Sequence, residues 1–207
     1  MPVQSAGLNA VATANNVNPS IVTERWLMRH GIVADGDFDG ASVYTPPFVK
    51  VRTRGFELIV LEDRIQIGPS SEADSAGAFQ SFVRLIETLP HTPYQAVGLN
   101  FVWGIIPNEG TAADLARRLF PRQDGALERV LGGNETTYGG FASRPALGGA
   151  LNLELKVLAD VLTGSFNYHY AVGADIDGRV ELVVDAINHW APARDDSRRI
   201  AEALSRG

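Results

Sequence analysis

The chain has 207 residues, 45% of them apolar and 20% charged, with a formal net charge of −6. That length builds one large domain or two small ones sharing a core, and the composition argues against disorder. The acidic balance argues against a nucleic-acid binder, which needs basic residues to displace counterions. Cysteine is absent, which excludes disulfides, iron–sulfur clusters, thiolate zinc sites and thiol nucleophiles. Only Lys50 and Lys156 among the basic residues are lysines, a bias expected of a high-GC, bacterial genome. No run reaches the roughly 18 apolar residues that span a bilayer. The N-terminus lacks the basic start and apolar stretch of a signal peptide, so the expected location is cytoplasmic.

In chain order, an apolar segment from Val3 to Asn15 reads as a strand. Asn18-Pro19 then predicts a helix start, an N-cap followed by proline at the first helical position. That helix carries Ile21, Val22, Trp26 and Leu27 and ends near His30 and Gly31. After the acidic loop Asp35–Gly40 come three expected strands, Tyr44–Thr53, Gly55–Leu61 and Arg64–Gly68, the last two joined by a turn at Glu62-Asp63. Helical spacing of Phe79, Phe82, Val83, Ile86 and Leu89 predicts a second helix over 76–89, stopped by Pro90.

The second half opens on the clearest strand, 95–106, where Leu99, Phe101, Trp103 and Ile105 alternate. Thr111 caps an expected short helix to Phe120. Short strands are expected near 126–131 and 135–141 in a glycine-rich stretch. Two alternating strands follow, one with Leu151, Leu153, Leu155 and Val157, the other with Phe166, Tyr168 and Tyr170. Helices over 178–190 and 195–204 close the chain.

The order of elements repeats between the halves. Gly7-Leu8-Asn9-Ala10-Val11 parallels Gly98-Leu99-Asn100-Phe101-Val102, and Phe82–Ile86 parallels Val183–Ile187. The expectation is an α+β fold made of a duplicated β-α-β-β-β-α unit. Ferredoxin-like halves, 1–92 and 93–192, join edge to edge into a mainly antiparallel sheet with helices on one face, and 193–207 adds a C-terminal helix. The expected core includes Leu8, Trp26, Phe56, Leu58, Phe82, Ile86, Leu99, Phe101, Leu153, Leu155, Phe166, Val184 and Ile187.

Chemical motifs are few. Asp35, Asp37, Asp39 and Gly40 match the start of a calcium loop, but the twelfth position, which needs a bidentate carboxylate, is Pro46. Asp175 and Asp177 read as charges before a helix N-terminus. The paired glycines at 132–133, 139–140 and 148–149 match neither a phosphate loop nor a dinucleotide fingerprint. No nucleophile elbow and no zincin motif is present. Arg52, Arg54, Arg64 and Arg84 are expected to be paired with neighbouring acids rather than gathered. No metal site and no cofactor follow from these residues.

One polar set stands out. Strand alternation puts Asn152, Glu154 and Lys156 on one side of their strand, Asn167 and His169 on the matching side of the next, and Asn100 on the central strand. These six form the candidate ligand or interface patch on an uncovered sheet face. With no catalytic motif, the expected function is a non-enzymatic interaction or assembly subunit using a sheet face or edge, with a protein partner or itself. The alternative is an enzyme or small-ligand binder using the same patch.

Overall fold

The computed structural model describes residues 3–120, 139–158, 160–173 and 179–206. The fold is α+β. Nine strands form one antiparallel sheet: β1 (Val3–Ala14), β2 (Val43–Thr45), β3 (Phe48–Arg52), β4 (Phe56–Leu61), β5 (Arg64–Pro69), β6 (Tyr94–Ile105), β7 (Gly139–Ala146), β8 (Gly149–Leu158) and β9 (Val161–Ala171). Their order across the sheet is β2-β3-β4-β5-β1-β6-β9-β8-β7. Among the described residues there are five α-helices: α1 (Glu24–Arg29), α2 (Ser75–Glu87), α3 (Ala112–Leu119), α4 (Arg179–Asn188) and α5 (Trp190–Leu204). None is long and apolar enough to cross a membrane.

The two longest strands, β1 and β6, pair at the centre. Asn9 faces Asn100, with Leu8 opposite Phe101 and Ala10 opposite Leu99 on either side. First-half strands then extend the sheet beyond β1, and second-half strands extend it beyond β6. The period-2 pattern divides the side chains into two faces. On β6, Val97, Leu99, Phe101, Trp103 and Ile105 are buried, whereas Ala96, Gly98, Asn100, Val102 and Gly104 are half-buried. The buried face packs against the helices. Phe79 of α2 stacks on Trp190 of α5 with ring centroids 4.9 Å apart. Trp103 Nε1 donates to Ser197 Oγ of α5 at 2.9 Å, which satisfies the indole N–H beneath that helix.

Nine of the expected core residues are buried; Leu8, Trp26, Leu153 and Val184 are only partly so. The core also holds Tyr94 and Tyr168, almost fully enclosed, and a run of alanines, Ala10, Ala12 and Ala14.

Several boundaries differ from the sequence reading. The helix expected from Asn18 is two pieces: a 3-10 turn at Pro19–Ile21 capped by Asn18, then α1 with its own cap, Thr23, whose side chain accepts from Trp26 N. Two consecutive cap signals each claimed a start, and extended backbone at Val22 separates them. The single strand expected over 44–53 is the hairpin β2–β3, because Pro46-Pro47 cannot continue a ladder. The last helix begins at Trp190 rather than Asp195, with Pro192 tolerated in its first turn. Strand β7 runs to Ala146, past the expected end at 141. The expected strand at 126–131, most of that at 135–141, and Asp175 and Asp177 lie outside the described residues.

The open sheet face as candidate functional site

The five helices pack on the buried side, and among the described residues no element lies over the other side. Ladder register places one residue from each strand into cross-strand rows there. One row reads Asn9, Asn100, Asn167, Asn152 and Ser143 on β1, β6, β9, β8 and β7. Four of these face one another as directly opposed amides, close enough for side-chain hydrogen bonds.

Those bonds form a directional chain. Ser143 Oγ donates to Asn152 Oδ1 at 2.8 Å. Asn152 Nδ2 donates to Asn167 Oδ1 at 3.4 Å, and Asn167 Nδ2 to Asn100 Oδ1 at 2.7 Å. Asn100 Nδ2 donates to Asn9 Oδ1 at 2.8 Å. Every donor points toward β1. Gly98 makes room for this row: a Cβ there would lie 3.0 Å from Asn167 Nδ2.

Three of the six predicted patch residues, Asn100, Asn152 and Asn167, are therefore joined directly. Glu154 and Lys156 lie on the same face along β8, 3.7 Å from each other in a loose ion pair. His169 is exposed, opposite Gly98 and Ala150, one row away from the amides. Asn100, Asn152, Glu154, Ser165 and Asn167 line a shallow hollow of about 330 Å³ walled by Phe141, whose side chain is 70% exposed. Lys156 and His169 do not line it. Asn9 and Ser143 complete the row and escaped the sequence reading. The signal for Asn9 was the repeated Gly-Leu-Asn at 7–9 and 98–100.

Charge is distributed unevenly on this face. The central strands β1, β6 and β9 contribute Asn9, Val11, Thr13, Gly98, Asn100, Val102, Ser165 and Asn167, with His169 the one titratable side chain. The charge lies on the outer strands and, as Arg64 opposite Thr13, at the start of β5. Glu57 on β4 binds Lys50 at 2.9 Å and Arg52 at 3.2 Å, both on β3. Burial pushes the Glu57 carboxyl up, but the hydrogen bonds and charges of Lys50 and Arg52 leave it below the usual carboxylate range.

Other sequence candidates do not converge on this face. The acidic loop is stitched to the first-half sheet: Asp39 N–H donates to Arg52 O at 2.9 Å and Arg54 N–H to Asp37 O at 3.1 Å. Among the described residues no three His, Asp or Glu side chains gather as a metal-ligand set. The four histidines lie apart: His30 caps α1, His91 is exposed, His189 stacks on Tyr170, and His169 is on β9. Arg52 and Arg64 pair with Glu57 and Asp63, and Arg84 donates to Gly31 O at 2.8 Å. A larger cleft of about 450 Å³ opens on the helix side, where Asp37, Arg54, Asp74 and Arg84 are among its lining residues.

The helix side also carries a polar cluster that fastens α5 to the second-half strands. Asp196 accepts from the Tyr168 hydroxyl at 2.8 Å and from Arg144 Nη2 at 3.1 Å, and pairs with Arg199. Burial pushes the Asp196 carboxyl up. The hydrogen bonds of Arg199 and Tyr168 and the charges of Arg144 and Arg199 outweigh it and hold the carboxyl below its ordinary value.

No protein-family model matches this chain, and no curated protein matches it in sequence.

Proposed function

We propose that the protein is a non-enzymatic interaction or assembly subunit whose open sheet face is its docking surface. The observation that carries this reading is the mutually hydrogen-bonded amide row across the middle of that face. Each amide in the row already has a side-chain partner, so covering it with another protein strips less water than covering isolated amides would. Half-buried Val11 and Val102 and exposed Phe141 add apolar area beside the row.

The same reading takes the chain as one domain built from two copies of a β-α-β-β-β-α unit, with β2 an extra edge strand in the first copy. Support comes from matched registers. Ile67 opposes Ala10 and Leu58 in the first half; Phe166 opposes Phe101 and Leu153 in the second. The central β1–β6 pair has its midpoint at Asn9 and Asn100, the third residues of the repeated Gly-Leu-Asn.

The test compares proteins recovered with the wild-type chain, with Val102→Arg on the open face, and with Leu182→Glu on α4. Binding through the open face requires that partners be lost with Val102→Arg and kept with Leu182→Glu. Equal recovery with all three chains, a tagged second copy of the chain counted among the partners, rejects the reading. A second reading, a small-ligand binder, is favoured by the hollow beside Phe141, where five polar side chains converge. Fragment screening by NMR, with shifts confined to Asn100, Ser165 and Asn167, would favour it instead.

A further inference from the structure

We infer that the occupant of the open face is a second copy of this chain, in a face-to-face, two-fold symmetric dimer; the inference rests on the docking reading above. Three observations bear on the occupant: the size of the face fits one interface, and its charge placement and side-chain chemistry favour a copy over an unrelated partner.

The first is size. Nine strands about 4.8 Å apart make a face roughly 40 Å wide, and an average strand of about eight residues at about 3.3 Å each makes it roughly 27 Å long, a footprint on the order of 1,000 Å². A stable interface of standard size takes about 800 Å² from each partner. One full face is therefore one interface, without help from the edges.

The second is the placement of charge. In a two-fold interface, residues near the axis meet their own copies, so a charged residue there opposes itself. On β1 and β6 the open face carries amides, glycines, Val11, Thr13 and Val102, and no charged side chain. The charged residues Lys50, Arg52, Glu57, Glu154 and Lys156 lie on outer strands and Arg64 at the start of β5 opposite Thr13, as a polar rim surrounds an uncharged interface centre.

The third is chemical. An asparagine side chain offers two N–H donors and two acceptor lone pairs. Within the row, Asn100 and Asn167 each use one of each, which leaves one donor and one acceptor for an incoming surface. With the two-fold axis running along the strands at Asn100, that residue meets its own copy in the reversed direction, so an N–H faces a C=O. An amide at the axis is thus its own complement. The neighbouring Gly68 and Gly98 keep the surface low, so that two such sheets can approach to the usual packing distance of about 10 Å.

Sedimentation equilibrium of the full chain over a concentration series tests this. The wild type should form a species of twice the 22.3 kDa chain mass. Val102→Arg places two like charges near the axis and should raise the dissociation constant by about 100-fold or more. Phe141→Glu, an exposed position whose substitution leaves the core untouched, should weaken the dimer too, and it serves as the reporter if Val102→Arg fails to fold. Leu182→Glu should leave the dimer unchanged. A wild-type chain that stays monomeric throughout overturns the inference, as does a dimer indifferent to both open-face substitutions. A monomer whose partner recovery still depends on Val102 removes the second copy and keeps the docking surface. A monomer whose recovery is also indifferent to Val102 removes both.

Discussion

Replacing Asn167 with alanine tests the amide row as a physical unit. Asn167 is its third member, donating to Asn100 Oδ1 at 2.7 Å and accepting from Asn152 Nδ2 at 3.4 Å. Truncation removes both bonds and leaves an acceptor on Asn100 and a donor on Asn152 without those partners. A neutral side-chain hydrogen bond contributes about 0.5–1.5 kcal/mol net, and the abandoned groups are half-buried, so water replaces part of what is lost. The bond to Asn152 is long and weak. The expected cost is therefore about 1–2 kcal/mol, most of it from the Asn100 bond. For a chain of this size that lowers Tm by roughly 2–8 °C. The assay is urea and thermal unfolding of Asn167→Ala beside His169→Ala. His169 lies two residues along the same strand and the same face, but it is exposed and outside the row. Its loss should fall within about 0.5 kcal/mol of the wild type. Equal costs for the two variants would refute the claim that the row is an energetic unit.

Three further outcomes follow from other parts of the fold. Phe82, 0% exposed on α2, should cost about 3–5 kcal/mol as Phe82→Ala in urea unfolding. Asp196→Asn should flatten the acid limb of the stability–pH profile. The folded Asp196 pKa lies below its unfolded value, so its stabilising contribution is complete above pH about 4 and lost as pH falls through the folded value; thermal melts from pH 7 to 2 read it. Leu147 turns the β7–β8 hairpin with φ of 51° beside Gly148 at 80°, a left-handed pair that favours Asn-Gly over Leu-Gly. Leu147→Asn should therefore raise stability by about 0.5–1 kcal/mol, measured by chemical denaturation.

Much of the sheet was legible because its inner face is strictly alternating. Leu99, Phe101, Trp103 and Ile105 mark β6, and Phe166, Tyr168 and Tyr170 mark β9, since each strand buries one side against helices. Breaks within elements were harder to read. Asn18-Pro19 and Thr23 are both valid helix starts, and only tertiary packing decides that the first ends after one turn. The β2–β3 hairpin hides behind apolar residues on both sides of Pro46-Pro47.

The polar side of the sheet was legible as a face but not as a bonded row. Alternation assigns Asn100, Asn152 and Asn167 to one side. Their meeting in a single row depends on strand register, which long-range pairing sets and local sequence does not. Asn9 was hidden for the same reason: its partner lies 91 residues away. Glu154, Lys156 and His169 share the face without joining the row, because each is displaced along its strand by two or more residues.

The most direct test of the assembly proposed above asks whether a second copy covers the open face. Hydroxyl-radical footprinting of Phe141 and Leu182 across a concentration series tests it in one measurement, because both side chains are well exposed in the single chain, at 70% and 53%. Phe141 lies on the open face and Leu182 on a helix of the opposite layer. Oxidation of Phe141 should fall as protein concentration rises while that of Leu182 stays constant. Constant oxidation of both at every concentration would contradict the proposed assembly.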